Sequence, residues 1–181
     1  PHSPPDAEVP TLVGVACHFE RQLRHVLATE GLRAGRIVET PDEAWARVIG
    51  VNLTGTFLCC CEGARLMQQC GDRGAIVNVS STAAFSGEGP AHYCASKAGV
   101  MGLTRSAARE LAASGIRVNT IVPGPTNTPM MAGIPDEWTQ AMIRAIPLGR
   151  MGEPAEIAAA AVFLASDEAG FITGQNLAVN G

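Results

Sequence analysis

From residue 40 onward the chain alternates two apolar patterns. Short runs of the buried-strand kind occupy 74–81 (GAIVNVSS), ending in polar residues, and 116–122 (IRVNTIV). Runs of this length suit strands buried on both faces, as in a parallel sheet. Residues 91–114 are rich in small and apolar side chains over a length that only a helix accommodates, and Gly115 closes that helix. Thr40-Pro41-Asp42-Glu43 reads as a helix start, with Thr as cap, Pro at the first position and acids in the first turn. This helix is predicted to run to about residue 69, with Gly71 ending it. Glu153-Pro154-Ala155-Glu156 opens another helix to about residue 165, and 175–179 is a last short strand. Residues 125–149 hold Pro125, Pro129, Pro135 and Pro147; they predict a long irregular segment with a helical stretch near 136–145, a length usual only where it serves function. Ahead of all this, residues 1–10 read as a Pro-rich arm, 11–16 as a short strand and 18–28 as a helix. Strands alternating with helices predict an α/β fold, with a doubly wound parallel sheet and right-handed crossovers.

Composition narrows the picture. A chain of 181 residues, 46% hydrophobic and 17% charged, suits a single domain over 1–181 and is not the composition of a disordered segment. The formal net charge of −4, with no basic stretch, argues against nucleic acid as a partner. No unbroken apolar run approaches the roughly 18 residues of a membrane-spanning helix, and no secretory leader is visible, so a cytoplasmic protein without a membrane partner is expected. Of the cysteines Cys17, Cys59, Cys60, Cys61, Cys70 and Cys94, three are consecutive. Consecutive cysteines on a helix point in different directions, so reduced and mostly buried thiols are expected, with no metal site and no disulfide framework.

In an open parallel sheet, ligands bind beyond the carboxyl ends of the strands. The strand ending at Val79 delivers Ser80 and Ser81 there. The strand ending at Val122 delivers Pro123-Gly124, then Thr126, Asn127 and Thr128. The long helix adds Tyr93 and Lys97, four apart and therefore on one face. A free phenol, with a pKa near 10, exchanges protons poorly at neutral pH. A neighbouring ammonium should lower that value and make the pair a usable general acid/base. A serine hydroxyl beside the phenol could hold a carbonyl oxygen while charge develops on it. Alone, each feature is commonplace: such pairs are usual on helices, and Ser-Ser at a strand end is usually a cap or turn. The ordered combination is not commonplace.

That combination resembles the short-chain dehydrogenase/reductase family. The matching text is VNLTG at 51–55, IVNVSS at 76–81, YCASKAG at 93–99, GIRVN at 115–119 and Pro123-Gly124. PLGR at 147–150, FLASD at 163–167, ITGQ at 172–175 and VNG at 179–181 follow in order, so the likeness covers about 35–181. The resemblance implies a Rossmann-like fold and hydride transfer between NAD or NADP and a secondary alcohol or ketone, such as a 3-oxoacyl thioester or a sugar. It implies Tyr93 as the acid/base, Lys97 as the cation beside it and on the nicotinamide ribose, Ser81 orienting the substrate oxygen, and Asn52 anchoring a water in a proton relay. The family's spacing before the tyrosine would select Ser80, whereas strand register selects Ser81; register fixes where a side chain points, so Ser81 is preferred. Tyr93, Lys97, Pro123, Gly124, Thr126 and Thr128 would line the cofactor, and 125–149 would form a substrate lid with Met130, Met131, Ile134 and Trp138 making it apolar. A homo-oligomer, dimer or tetramer, is the family's habit.

The front of the chain departs from the family. Its Gly-rich turn, which supplies backbone amides to the pyrophosphate, finds no match at Gly14, Gly31 or Gly35, and residues 1–30 are atypical. The first strands are therefore expected to be missing, and dinucleotide binding by these 181 residues alone to be weak. The alternative to an enzyme is a truncated, non-catalytic relative that acts through oligomer interfaces.

Overall fold

The computed structural model describes residues 37–71, 73–131 and 133–181. The arm at 1–10, the strand at 11–16, the helix at 18–28 and the atypical 1–30 segment, with Cys17 and the question of a phosphate-binding turn, lie outside the described residues.

Three parallel strands form the described sheet in the order β1 (Gly74–Val79), β2 (Ile116–Pro123), β3 (Asn176–Val179). Register runs from Gly74 opposite Ile116 to Val79 opposite Ile121, and from Thr120 opposite Asn176 to Pro123 opposite Val179. Each crossover carries helices, so the expected α/β sheet is the one observed.

On one face, Ile76, Ile116 and Val118 pack against Ala64 and Met67 of α2 (Gly55–Cys70) and Ala107, Ala108 and Leu111 of α4 (Ala91–Leu111). On the other, Val77, Ile121, Leu177 and Val179 pack against Ile157, Ala160, Ala161 and Leu164 of α6 (Pro154–Ala165). Neighbouring strand residues thus serve opposite layers, as the pleat requires. Two motif residues brace this arrangement. The Arg117 guanidinium donates to the carbonyls of Leu164 at 2.7 Å and Ser166 at 2.9 Å, closing the end of α6. Asn119 donates to Ile172 O at 2.8 Å and accepts from Gln175 N at 3.0 Å, holding the approach to β3.

The first predicted helix is continuous from Asp42 to Cys70 but not uniform. It comprises α1 (Asp42–Ile49), a π turn (Gly50–Thr54) and α2. Its start differs by one residue from the expectation: Pro41, extended at ψ 147°, occupies the cap position and Asp42 is the first helical residue. Its end is as read, at Gly71 with φ 71°, the left-handed conformation glycine permits. A side chain at Gly99 of α4 would come within 2.7 Å of Leu53, so that glycine lets α4 approach the π turn. A short α3 (Ala83–Ser86) follows Ser81. The irregular segment contains α5 (Asp136–Ala145), none of whose residues is buried.

One expectation is qualified here and another fails. Averaged over 18 residues, helix 42–70 reaches a mean hydropathy of 1.3 and is long enough to cross a membrane. Unbroken-run counting missed it because Gly and Thr interrupt the run while Cys59–61 raise the average. Such a helix is weak evidence for a membrane, and Asn52 and Thr56 within it are committed to hydrogen bonds inside the protein. Among the described cysteines, only Cys60 is buried; Cys59, Cys61 and Cys94 are half-buried and Cys70 is exposed. The thiols are free but not mostly buried, because a three-residue run must present two of its members sideways on a surface helix.

Candidate active site

The carboxyl end of β1 hands the chain to Ser80 and Ser81, whose side chains part company. The Ser80 hydroxyl is buried and donates to the Lys97 carbonyl at 2.8 Å. The Ser81 hydroxyl accepts the Ala83 N–H at 3.2 Å, opening α3, and stands beside the Tyr93 phenol. The two hydroxyls close no direct bond of good geometry, yet Ser81 acts on the phenol as a hydrogen-bond partner that lowers its pKa.

Tyr93 sits in the first turn of α4, after Pro90, whose extended backbone starts the helix. One turn on, the Lys97 ammonium lies 5.8 Å from the centre of the phenol ring and donates to Val79 O at 3.1 Å. Burial lowers the Lys97 pKa to about 8. Burial also raises the phenol's pKa above its ordinary value; Ser81 opposes this and the Cys94 thiol adds to it. The expectation that the ammonium pulls the phenol down is therefore not met. Burial is the largest influence on the phenol, while the Lys97 ammonium turns a proton toward the Val79 carbonyl.

Asn52 is buried in the π turn. Its carboxamide donates to the Ser96 hydroxyl at 3.0 Å, and its carbonyl accepts the Thr56 hydroxyl at 2.8 Å. Ser96 in turn donates to the Tyr93 carbonyl at 2.8 Å. Asn52, Ser96, Tyr93, Lys97 and the end of β1 therefore form one connected group. The structure brings Asn52, Ser81, Tyr93 and Lys97 together, as the sequence expects of candidate residues, and adds Ser80 and Ser96 as connectors, a role the sequence did not suggest. The available signal was position: Ser96 lies three residues past Tyr93, where a helical serine can bond back to a carbonyl.

At the end of β2, Pro123 O accepts the Thr82 N–H at 3.0 Å and Gly124 donates its N–H to Val179 O at 3.0 Å. A Cβ at Gly124 would stand 2.8 Å from Asn180 Cβ, so this glycine serves the join with β3. Thr126 turns its hydroxyl onto Gly124 O at 2.9 Å. The half-buried Thr128 accepts the Met131 N–H through its carbonyl at 2.9 Å, and its hydroxyl takes no partner among the described residues. A cleft of about 240 Å³ beside β3, lined by Pro125, Leu148, Arg150 and Asn180, does not include Ser81, Tyr93 or Lys97.

Comparison with known proteins follows the same residues. A family model described as enoyl-(acyl carrier protein) reductase, of the short-chain dehydrogenase type, matches residues 22–181. A mouse protein named (3R)-3-hydroxyacyl-CoA dehydrogenase is 42% identical over 168 residues, 92% of this chain and 64% of its own length. The cis-4-hydroxycyclohexanecarboxylate dehydrogenase of Sinomonas cyclohexanicum is 50% identical over 139 residues, 76% of this chain and 55% of that protein. A structure from Agrobacterium tumefaciens with bound NADP aligns with TM-score 0.78 at 37% identity, covering 82% of this chain and 62% of that one. The chain thus spans somewhat under two thirds of the length of these relatives. With a matching family model over most of its residues and relatives of this identity, the chain belongs to the short-chain dehydrogenase/reductase family.

Proposed function

We propose that the protein is an NAD(P)-dependent oxidoreductase interconverting a secondary alcohol and the matching ketone. The observation that carries this reading is the convergence of Ser81, Tyr93 and Lys97 at the carboxyl end of β1. The names of two relatives, a 3-hydroxyacyl thioester dehydrogenase and a 4-hydroxycyclohexanecarboxylate dehydrogenase, both specify secondary alcohols. A 3-oxoacyl thioester is the first substrate class to try, a sugar or cyclic ketone the next. Nothing in the comparisons favours a non-catalytic relative.

The donor set fits one end of a dinucleotide. Lys97 offers an ammonium and Tyr93 a phenol to a ribose, and Thr128, near the end of β2, adds a hydroxyl that has no partner among the described residues. Pro123, Gly124 and Thr126 would form the wall of that site, since their polar groups are largely committed within the chain. When bound, the nicotinamide supplies the hydride donor or acceptor.

Ser81 would hold the substrate oxygen and Tyr93 would exchange a proton with it. Burial keeps Tyr93 protonated, which suits it to give a proton to a carbonyl oxygen during reduction. Lys97, with a pKa of about 8, remains mostly charged at neutral pH and would replenish the proton from the side of Asn52, whose place in the π turn suits a water-holding role. The 125–149 segment would serve as the lid: α5 has no buried residue and presents Trp138 outward. Phe57, Leu58 and Leu66 on α2, with Val162 and Phe163 on α6, are exposed apolar residues suited to a homo-oligomer. A cytoplasmic setting agrees with the free thiols.

The test is Tyr93→Phe in the full-length protein, assayed with both dinucleotides against 3-oxoacyl and cyclic ketone substrates. Turnover should fall by at least about 100-fold. Turnover near that of the parent would remove Tyr93, and this mechanism with it.

A further inference from the structure

We propose that Ser80 and Ser96 are positioning residues that hold the strand bearing Ser81, the helix bearing Tyr93 and Lys97, and the turn bearing Asn52 in one fixed frame. The proposal rests on the functional reading above, and adds to it two side chains that touch neither substrate nor cofactor.

The geometry is reciprocal. Ser80 follows β1 and has its own N–H tied to Ile121 O at 2.8 Å, so its backbone is fixed by the sheet. Its hydroxyl donates to the Lys97 carbonyl at 2.8 Å, while the Lys97 ammonium donates back to Val79 O at 3.1 Å. Side chain of one partner meets backbone of the other in both directions. A shift of α4 along the sheet must break both bonds. Ser80 is 3% exposed, so water cannot readily replace its hydroxyl as a partner.

Ser96 closes the other side. It is fully buried and uses both hydrogen-bonding capacities of its hydroxyl. It donates to the Tyr93 carbonyl at 2.8 Å and accepts the Asn52 carboxamide at 3.0 Å. One N–H of the Asn52 carboxamide is thereby committed to the frame, which fixes the orientation of that side chain. Alanine at either serine removes a buried donor and leaves a partner group short: the Asn52 carboxamide in the case of Ser96, a carbonyl lone pair in the case of Ser80.

Tyr93 is the only tyrosine in the chain, so the absorbance of its phenolate reports on it alone, with or without catalysis. Ser80→Ala and Ser96→Ala should each move the phenol titration of the folded protein by about half a pH unit or more, a roughly threefold change in proton affinity, because Ser81 and the phenol lose their fixed relation. Ser80→Thr keeps the hydroxyl and should restore the parental titration. In the full-length protein the alanine variants should lower kcat about tenfold or more with KM little changed, as expected when geometry and not binding is disturbed. A parental phenol titration and kcat in folded Ser80→Ala and Ser96→Ala, with only the melting temperature reduced, would assign both serines to stability and overturn the proposal. If an alanine variant fails to fold, Ser80→Cys and Ser96→Cys, of similar size but with a weaker donor, give the same readings. If instead Tyr93→Phe is fully active, the mechanism falls while the titration still judges the frame.

Discussion

The two faces of the described sheet are built on different principles. The face under α6 is closed by apolar contact: Ile121, Leu164 and Ala169 form its buried centre, and Val77, Ile157 and Leu177 surround them. The face under α2 and α4 has an apolar half, around Met67, Leu111 and Val118, and a polar half. In the polar half Cys60 donates to Asn78 at 3.3 Å, Asn78 donates to Thr104 at 2.9 Å, and the Thr104 and Thr120 hydroxyls meet at 2.6 Å. All of these residues are buried. A separate set of hydrogen bonds, made by Ser80, Ser96 and Asn52, lies toward the carboxyl end of the sheet. Apolar contact has no direction and tolerates sliding, whereas hydrogen bonds fix distance and angle. The polar half lies where Ser81, Tyr93 and Lys97 must keep their spacing, and the apolar face lies where only adhesion is needed.

Substitutions can break this contrast from either side. Leu164→Ala should be the most damaging to stability, with a loss of about 2–5 kcal/mol in denaturant unfolding, because it empties the centre of the apolar face. The phenol titration of the folded fraction should stay parental; a moved titration would show that the two faces are coupled. Thr104→Val keeps shape but strands the Asn78 carboxamide and the Thr120 hydroxyl. A loss of about 1–3 kcal/mol is expected, and a neutral result would mean that the polar chain is dispensable.

Lys97→Met should behave oppositely. Lys97 has a folded pKa of about 8, below its ordinary value. Between about pH 8 and pH 10.4 the unfolded chain therefore binds more protons than the folded one, and this group makes stability rise with pH across that window. Below it, the buried charge costs stability in full. Lys97→Met should accordingly raise the melting temperature at pH 7, with the gain shrinking as pH climbs through the window, while activity is lost. A gain that grows with pH would contradict the burial of this ammonium. The smallest effect is expected from Ser81→Ala, which should leave folding intact and raise the phenol's pKa further, since Ser81 lowers it in the parent. A lower phenol pKa in that variant would separate Ser81 from Tyr93.

Much of the architecture could be read from pattern because burial writes it into the sequence. β2 is almost wholly buried and β1 half-buried, and both appear as short runs rich in Ile and Val; α5 and α6 are capped by Pro135 and Glu153 and end as read, at Ala145 and Ala165. Tyr93 and Lys97 were placed on one face by helical spacing alone. The π turn left no trace, since Gly50-Val51-Asn52-Leu53-Thr54 is as compatible with an ordinary helix. The phenol's acidity was misjudged because spacing reports who is near whom, whereas burial depends on everything else around the pair. In the sequence Ser80 stands out only as a rival to Ser81, and Ser96 draws no notice, because both donate to backbone carbonyls, which carry no letter there.

The π turn has a consequence for how this chain can change length. A π turn holds one more residue than the α turn it replaces, so it acts as an insertion absorbed inside a helix. Downstream of it, α2 faces the sheet with Cys60, Ala64 and Met67; upstream, α1 buries Val48. Deleting a single residue within 50–54 would let the helix close into regular α geometry with its two halves still in phase, whereas a deletion in α1 or α2 would rotate one half against the other by about 100°. After a deletion of the second kind Val48 could not stay buried while Cys60 and Met67 do. A natural or engineered relative one residue shorter at 50–54 should therefore need no compensating insertion in the same helix, and one shorter elsewhere in the helix should need one.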